Sequence, residues 1–262
     1  MDKIIYPVKP DYDWKARVTS FDAGRDRRLR LSSLLRFQQE AGERHFGDAG
    51  LTYWEFYRRG MIFVLTRLQV EIRRLPELEE EVTLRTWHRD SKGAQMFRCY
   101  QLLDAQGQIL TEGVSSFALV DVESHRPLRP TVFEQLGEMC QPDRHNGCPD
   151  PGRLRVPEGL EEVGIRTVYW SDTDYNGHLN NTVYADILCD FVPGGLKGRR
   201  IAGFSISYER EALEGETLRI RAAELPDDDG CGKVWMTGEH GRGRCFTAWL
   251  RLHQAGGPDD RL

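Results

Sequence analysis

One stretch of the chain concentrates side chains able to do chemistry. Tyr169–Tyr184 reads YWSDTDYNGHLNNTVY, and Asp172, Asp174, Asn176, His178, Asn180 and Asn181 fall within ten residues of it. The stretch lies where a β-like run gives way to apolar residues spaced as on a helix. The plainer reading is helix capping, because Asp and Asn are favoured N-cap residues. Capping needs one such residue, and six with a histidine are an excess. An Asn amide, a His and the unpaired N–H groups of a helix start together make a donor-rich place for a developing oxyanion. A second stretch, Ile206–Ala212 (ISYEREA), ends a β-like run in Glu209, Arg210 and Glu211. Taken alone, it reads as a solvated strand end. The chain has no P-loop, no G-x-S-x-G elbow and no H-E-x-x-H. Gly241–Arg242–Gly243 lacks the third glycine of a dinucleotide fingerprint and reads as a turn. Cys140, His145 and Cys148 fit no zinc spacing and want a fourth ligand, so no metal is expected.

Two similar halves position these stretches. Each opens with a strand-like segment, Asp13–Phe21 in the first and Gly164–Trp170 in the second. A helical pattern follows: Leu31, Leu34, Leu35, Gln38 and Ala41, then Leu179, Val183, Ile187 and Phe191. Four β-rich runs come next in each half. They are Met61–Ile72, Glu81–His88, Met96–Leu103 and Gly113–Val120, then Arg200–Tyr208, Glu216–Ala222, Gly232–Gly238 and Cys245–Leu252. An offset of 148 lays Leu31 on Leu179, and one of 135 lays Glu81 on Glu216. The first half therefore carries about 13 extra residues after its helix, with Gly50–Gly60 (GLTYWEFYRRG) the obvious insertion. No helices alternate with the strands, so the class is α+β with antiparallel sheets. Each half reads as a long helix wrapped by a curved antiparallel sheet, and joining the halves edge to edge would remove two open edges. Residues 129–163, rich in Pro, Gly, Asp and Arg, read as a linker with one short helix at Val132–Met139. Residues 1–128 and 164–253 form the two domains, and 254–262 a frayed tail.

The chain has 262 residues, 39% of them hydrophobic and 29% charged, with a net charge of -5. That balance suits a globular core and argues against a nucleic-acid partner. No apolar run approaches the ~18 residues of a membrane span. The first residues lack the apolar stretch of a secretory signal, so the cytoplasm is the expected location. The six cysteines form no C-x-x-C pair and read as free thiols.

The residues Ser171–Tyr184 resemble the D-x-N-x-H-x-N-N-x-x-Y signature of acyl-ACP thioesterases, the plant and bacterial enzymes that release fatty acids from acyl carrier protein (ACP). Tyr208–Glu211 resembles the family's Y-x-x-E segment, and Gln38–Ala41 its Q-E-A segment. The resemblance spans about residues 10 to 252. It implies tandem hotdog domains and hydrolysis of fatty acyl-ACP to free fatty acid and holo-ACP without a cofactor. Its catalytic residues fall on Asp174, Asn176, His178 and Glu211. Plant members carry a cysteine after the glutamate, and here that position is Ala212, which excludes a thiol nucleophile there. The implied mechanism has Glu211 as general base on a water, Asn176 polarising the carbonyl, His178 orienting, and Asp174 fixing the loop. At the 148 offset, Asp26, Arg28 and Arg30 face Asp174, Asn176 and His178, so the first half has lost the set. It would instead line the acyl pocket, with Leu31, Leu34, Leu35, Phe37 and Trp54–Phe56 as candidates; no other substrate-binding residue is legible. Arg25, Arg27, Arg28 and Arg30 form a basic cluster suited to an acidic carrier protein. The alternatives are an acyl-CoA thioesterase of the same fold, a non-catalytic acyl-binding or sensor protein, and a hotdog dehydratase. Oligomeric state is open, with room for a homodimer.

Overall fold

The computed structural model describes residues 8–131, 140–226 and 232–254. The short helix expected at 132–139 and most of the tail lie outside them. Each half contributes five strands. The first holds β1 (Tyr12–Arg17), α1 (Leu31–Gly47), α2 (Tyr53–Arg58), β2 (Met61–Ile72), β3 (Glu81–Lys92), β4 (Gln95–Leu103) and β5 (Ile109–Asp121). The second holds β6 (Glu161–Thr167), α3 (Val183–Asp190), β7 (Arg199–Tyr208), β8 (Thr217–Pro226), β9 (Gly232–His240) and β10 (Gly243–Gln254).

The ten strands make one sheet in the order β1-β3-β4-β5-β2-β7-β10-β9-β8-β6, with every neighbouring pair antiparallel. The halves join edge to edge through β2 and β7, with Leu68 opposite Ile206 and Val70 opposite Phe204. That seam consumes the two edges a separated pair of halves would expose. Ser205 Oγ donates to the Leu68 carbonyl at 2.8 Å, and Arg251 of β10 pairs with Glu71 of β2, so side chains also tie the halves together.

One core runs through both halves. Leu31, Leu34, Leu35 and Ala41 of α1, Ala185, Ile187 and Leu188 of α3, and inward residues of strands from both halves belong to a single buried cluster. The alternation of buried and exposed residues along β8 shows one face on this core and one in solvent. Among the described residues, no helix is long and apolar enough to cross a membrane.

Four expectations change. The second-half helix is eight residues, not long, because Pro193 follows it and Gly194 and Gly195 take positive φ. The repeat offsets also shift. Gly24 N donates to Arg28 O at 2.8 Å, as Asp174 N does to His178 O at 2.9 Å, so the helix-entry loops lie 150 residues apart. Val18 N donates to Glu80 O, as Val168 N does to Glu216 O, so the later strands lie 136 apart. The 148 match rests on two pairs, Leu31 with Leu179 and Leu35 with Val183, and two apolar pairs do not fix a helix register: a two-residue slip turns the helix by about 200°. Finally, the segment after 139 is no free linker. Gln141 N donates to His88 O, Trp87 Nε1 to Arg144 O, and Asn146 Nδ2 to Tyr100 O and Gly113 O. Residues 141–150 thereby cover Trp87, Phe97 and Cys99, which would otherwise face water. The second-half sheet begins at Glu161, three residues before the expected start.

Candidate active site

The polar stretch folds into a tight loop between β6 and α3. Asp174 holds it together: its Oδ1 accepts from Asn176 N at 2.8 Å and His178 N at 3.4 Å, while Asp174 N donates to His178 O. Gly177, at φ +77°, supplies the left-handed turn this requires. Asp172 receives Arg166 through both carboxylate oxygens at 2.8 Å and also Tyr169 N at 2.9 Å. Asn180 Oδ1 accepts from Thr182 N and Thr182 Oγ1. Three of the six polar residues are thus occupied in shaping the loop. Asn176 is exposed and His178 half-buried, and among the described residues neither side chain makes a hydrogen bond. The loop spends its carboxylates on geometry and leaves an amide and an imidazole for a ligand.

The helix start contributes less than expected. The N-cap of α3 is Thr182, without a side-chain cap, and Val183 lies seven residues beyond Asn176.

Tertiary structure brings the two stretches together. Leu179 N donates to Ala212 O at 2.8 Å, and His178 bridges Leu213 in antiparallel register. Tyr208, at the end of β7, donates its hydroxyl to Asn181 O at 3.0 Å and stands edge-on to Tyr184. The chain at Glu211 therefore runs beside the loop that carries Asn176 and His178. No hydrogen bond joins the Glu211 carboxylate to either side chain. Glu211 is half exposed, its Oε1 3.7 Å from Arg242 Nη1. Ala212 is wholly buried, so a side chain at that position points into the core.

Two residues that the sequence reading missed hold Glu211 in place. The buried His240 ring reaches Glu211 O at 3.1 Å through Nε2, and Arg242 Nη2 donates to the same carbonyl at 3.2 Å. Arg242 also grips Glu216 through Nε at 2.8 Å and Nη2 at 2.9 Å. That hydrogen-bonded guanidinium, with Leu213 N, holds the Glu216 carboxyl down at about 2. His240 and Arg242 lie some 30 positions from Glu211, and nothing local in the sequence marks them. Glu209, by contrast, is tied to Arg244 at 2.9 Å and Thr247 at 2.7 Å, a structural post.

The degenerate loop also needs correction. With loops 150 apart, Gly24, Asp26 and Arg28 stand opposite Asp174, Asn176 and His178, not Asp26, Arg28 and Arg30. Leu75 stands opposite Glu211 by the 136 offset. The first half still lacks the amide, the imidazole and the carboxylate. Its Arg25, Arg27 and Arg30 are exposed beside the start of α1. The motif loop lies instead near Glu43, which acts electrostatically on Tyr175. At 1.5 Å per residue, the two loops are about 18 Å apart along α1.

Leu31, Leu34, Leu35 and Phe37 are buried in the main core, and Phe56 in a smaller cluster, while Trp54 is exposed. Two surface cavities, about 140 Å³ beside His45 and about 350 Å³ under Val156–Leu160, have no motif residue in their walls. Cys140, His145 and Cys148 turn to separate partners: the His88 ring, Arg89 and the Gln69 carbonyl. The five described cysteines are free thiols, and Cys231 lies outside the described residues.

Residues 9–134 match the family described as the acyl-ACP thioesterase N-terminal domain, and residues 161–244 its C-terminal domain. An acyl-[acyl-carrier-protein] hydrolase of Cuphea viscosissima is 25% identical over 234 residues, covering 84% of this chain and 56% of the relative. A dodecanoyl-[acyl-carrier-protein] hydrolase of Cinnamomum camphora is 26% identical over 216 residues, covering 77% and 56%. The chain thus spans a little over half the length of these curated relatives. The crystal structure of an acyl-ACP thioesterase from Bacteroides thetaiotaomicron superposes with a TM-score of 0.82 at 20% identity, over 93% of this chain and 98% of that one. The 12:0-ACP thioesterase of Umbellularia californica gives 0.77 at 20%, over 94% of each. The fold is the tandem hotdog, and with both family domains matched in order across the two halves, the chain belongs to the acyl-ACP thioesterase family.

Proposed function

We propose that this protein hydrolyses the thioester of fatty acyl-ACP, releasing free fatty acid and holo-ACP. The observation that carries the reading is the pairing of Leu179 with Ala212, which sets Glu211 beside the loop that offers Asn176 and His178. Glu211, half exposed and acceptor-only when ionised, takes a proton from water as it attacks the thioester carbon. Asn176 donates its amide N–H to the carbonyl oxygen as that oxygen gains charge. His178 orients the water or the substrate and relays the proton that Glu211 has taken to the departing thiolate, which leaves as the free thiol while Glu211 is restored as carboxylate. Asp174 acts through the loop, since its carboxylate is engaged by backbone N–H groups. The residues doing this chemistry need no cofactor. Buried, protonated thiols also suit the reducing cytoplasm as the site of action.

Purified full-length protein, given acyl-ACP without added metal or nucleotide, should release fatty acid and free thiol. Activity that disappears with a chelator and returns with zinc would overturn the cofactor-free mechanism.

A further inference from the structure

The duplication provides an internal control for what surrounds the motif loop. Asp26 acts electrostatically on Cys189 at the end of α3, as Glu43 near the end of α1 acts on Tyr175. Each helix-entry loop therefore lies at the far end of the other half's helix. Beyond α1 the first half inserts α2, which lands beside the loop bearing Asn176 and His178. Beyond α3 the chain passes from Phe191 to Arg199 without a helix, and Phe191 packs against the core. The inserted helix thus stands beside the loop that kept its chemistry and is missing beside the loop that lost it.

The side chains of α2 are distributed unusually. Phe56 alone is buried, held edge-on by Phe46 and Phe63. Trp54 and Tyr57 are 66% and 44% exposed, and Tyr175 of the motif loop is 68% exposed. These rings are continuous: Tyr53 lies 4.9 Å from Tyr175, 5.1 Å from Trp54 and 6.1 Å from Tyr57, centroid to centroid. A contiguous exposed aromatic patch marks a binding surface more often than an accident of folding. Tyr175 stands between Asp174 and Asn176, so this patch begins at the candidate reacting groups.

Resting on the thioesterase reading, we propose that Tyr53, Trp54, Tyr57 and Tyr175 form a platform for the pantetheine arm of the substrate. That arm is shared by acyl carrier protein and coenzyme A, and it must leave the reacting carbonyl on the sulfur side. Its geminal methyl groups offer apolar surface to the rings, and its two amides can pair with Tyr hydroxyls and the Trp N–H. Aromatic side chains suit the task because they give large contact at small cost in rotamer freedom.

The test compares one acyl chain carried on N-acetylcysteamine, pantetheine, coenzyme A and acyl carrier protein. Wild type should prefer pantetheine over the truncated N-acetylcysteamine thioester by at least about tenfold in kcat/KM. A Trp54→Ala/Tyr57→Ala variant, checked as folded by circular dichroism, should lose most of that preference ratio, while Trp54→Phe keeps it. An equal loss on all four carriers would overturn the platform and leave a structural role. So would a loss confined to acyl carrier protein, which would mark a protein docking surface, or one that spares pantetheine and tracks the coenzyme A phosphates. Wild type inert on every carrier would defeat the hydrolase reading itself. The platform is then decided by titrating free pantetheine: quenching in wild type and its loss in Trp54→Phe support it, and no quenching overturns it.

Discussion

At the residue scale, Glu211 separates a solvated strand end from a catalytic base. Among the described residues its carboxylate has one partner, at 3.7 Å, while its carbonyl is held twice, so the backbone is fixed and the side chain is loosely held. Glu211→Gln should turn over about 10²–10⁴-fold more slowly, roughly 3–5 kcal/mol of barrier, in a folded protein. Asn176→Ala should be of similar severity through loss of an oxyanion donor. Glu209 cannot serve as the control, because its carboxylate anchors Arg244 and Thr247. The exposed Glu214 is the better one, and near-normal kcat in both Glu211→Gln and Glu214→Gln would return the mechanism to Asp174 and His178. Arg242→Ala should lower kcat by about ten- to a hundredfold with little change in KM, by letting Glu211 drift. Arg242→Lys should recover part of the loss, and an unchanged kcat would show that the grip on the carbonyl is dispensable. Alkylating reagents should leave turnover intact. Burial pushes the Cys99 and Cys245 thiols up to about 11 and Cys189 up to about 12, so little nucleophilic thiolate forms at these three. Substrate-protected alkylation of one cysteine in step with complete loss of activity would contradict this.

At the element scale, the β2–β7 seam decides whether two halves make one molecule. The sequence pattern predicted the four strands after each helix, and Met61–Ile72 matches β2 residue for residue. Which edges would meet was not legible, since apolar alternation alone does not select a partner strand. The seam has a weak point at Gly203, where an added Cβ would stand 2.9 Å from the Val70 carbonyl. Backbone cannot yield as a flexible side chain does. Gly203→Ala should therefore cost about 1–3 kcal/mol of stability, read as a lower denaturant midpoint. A midpoint equal to wild type would show that β7 shifts freely against β2. The α3 helix is cut to eight residues by Pro193 for a reason visible in the sequence, but the apolar stripe masked it by continuing to Phe191.

At the scale of the whole molecule, stability should depend on pH through two buried histidines. Burial, with Arg98 beside it, pushes His45 down to about 4, and burial with Arg98 and His45 pushes His88 down to about 3. His45 is held neutral, its Nε2 donating to Lys9 O at 2.7 Å and its Nδ1 accepting from Arg98 at 3.0 Å. Both folded values lie below the ~6.5 of the unfolded chain, so the unfolded state takes up protons first as pH falls. Stability is then complete above about pH 6.5 and declines toward pH 4, by up to ~1.4 kcal/mol per pH unit for each histidine. Urea midpoints at pH 7.5 and pH 5 measure this above the range where Glu216 titrates. His45→Gln should remove close to one proton from the slope, and identical midpoints at the two pH values would refute the assignment.

The sequence by itself determined the class, the duplication and the two short stretches that matter. Strand alternation, helix periodicity and the density of polar residues before a helix are local properties, written within a few residues of one another. It also showed that Ala212 cannot be a nucleophile. Tertiary structure alone decided which of those residues are tied into the loop and which are left without a side-chain hydrogen bond among the described residues. Asp172, Asp174 and Asn180 look as catalytic as Asn176 and His178 when read in a line, and only their hydrogen bonds separate loop-builders from free groups. The same holds for His240 and Arg242, which reach the Glu211 carbonyl because the β9–β10 turn folds back onto it. The register of the repeat, 150 and then 136 residues rather than 148 and 135, needed backbone hydrogen bonds to define it. Contacts between distant segments depend on how strands pair and where loops land, and a linear pattern specifies neither.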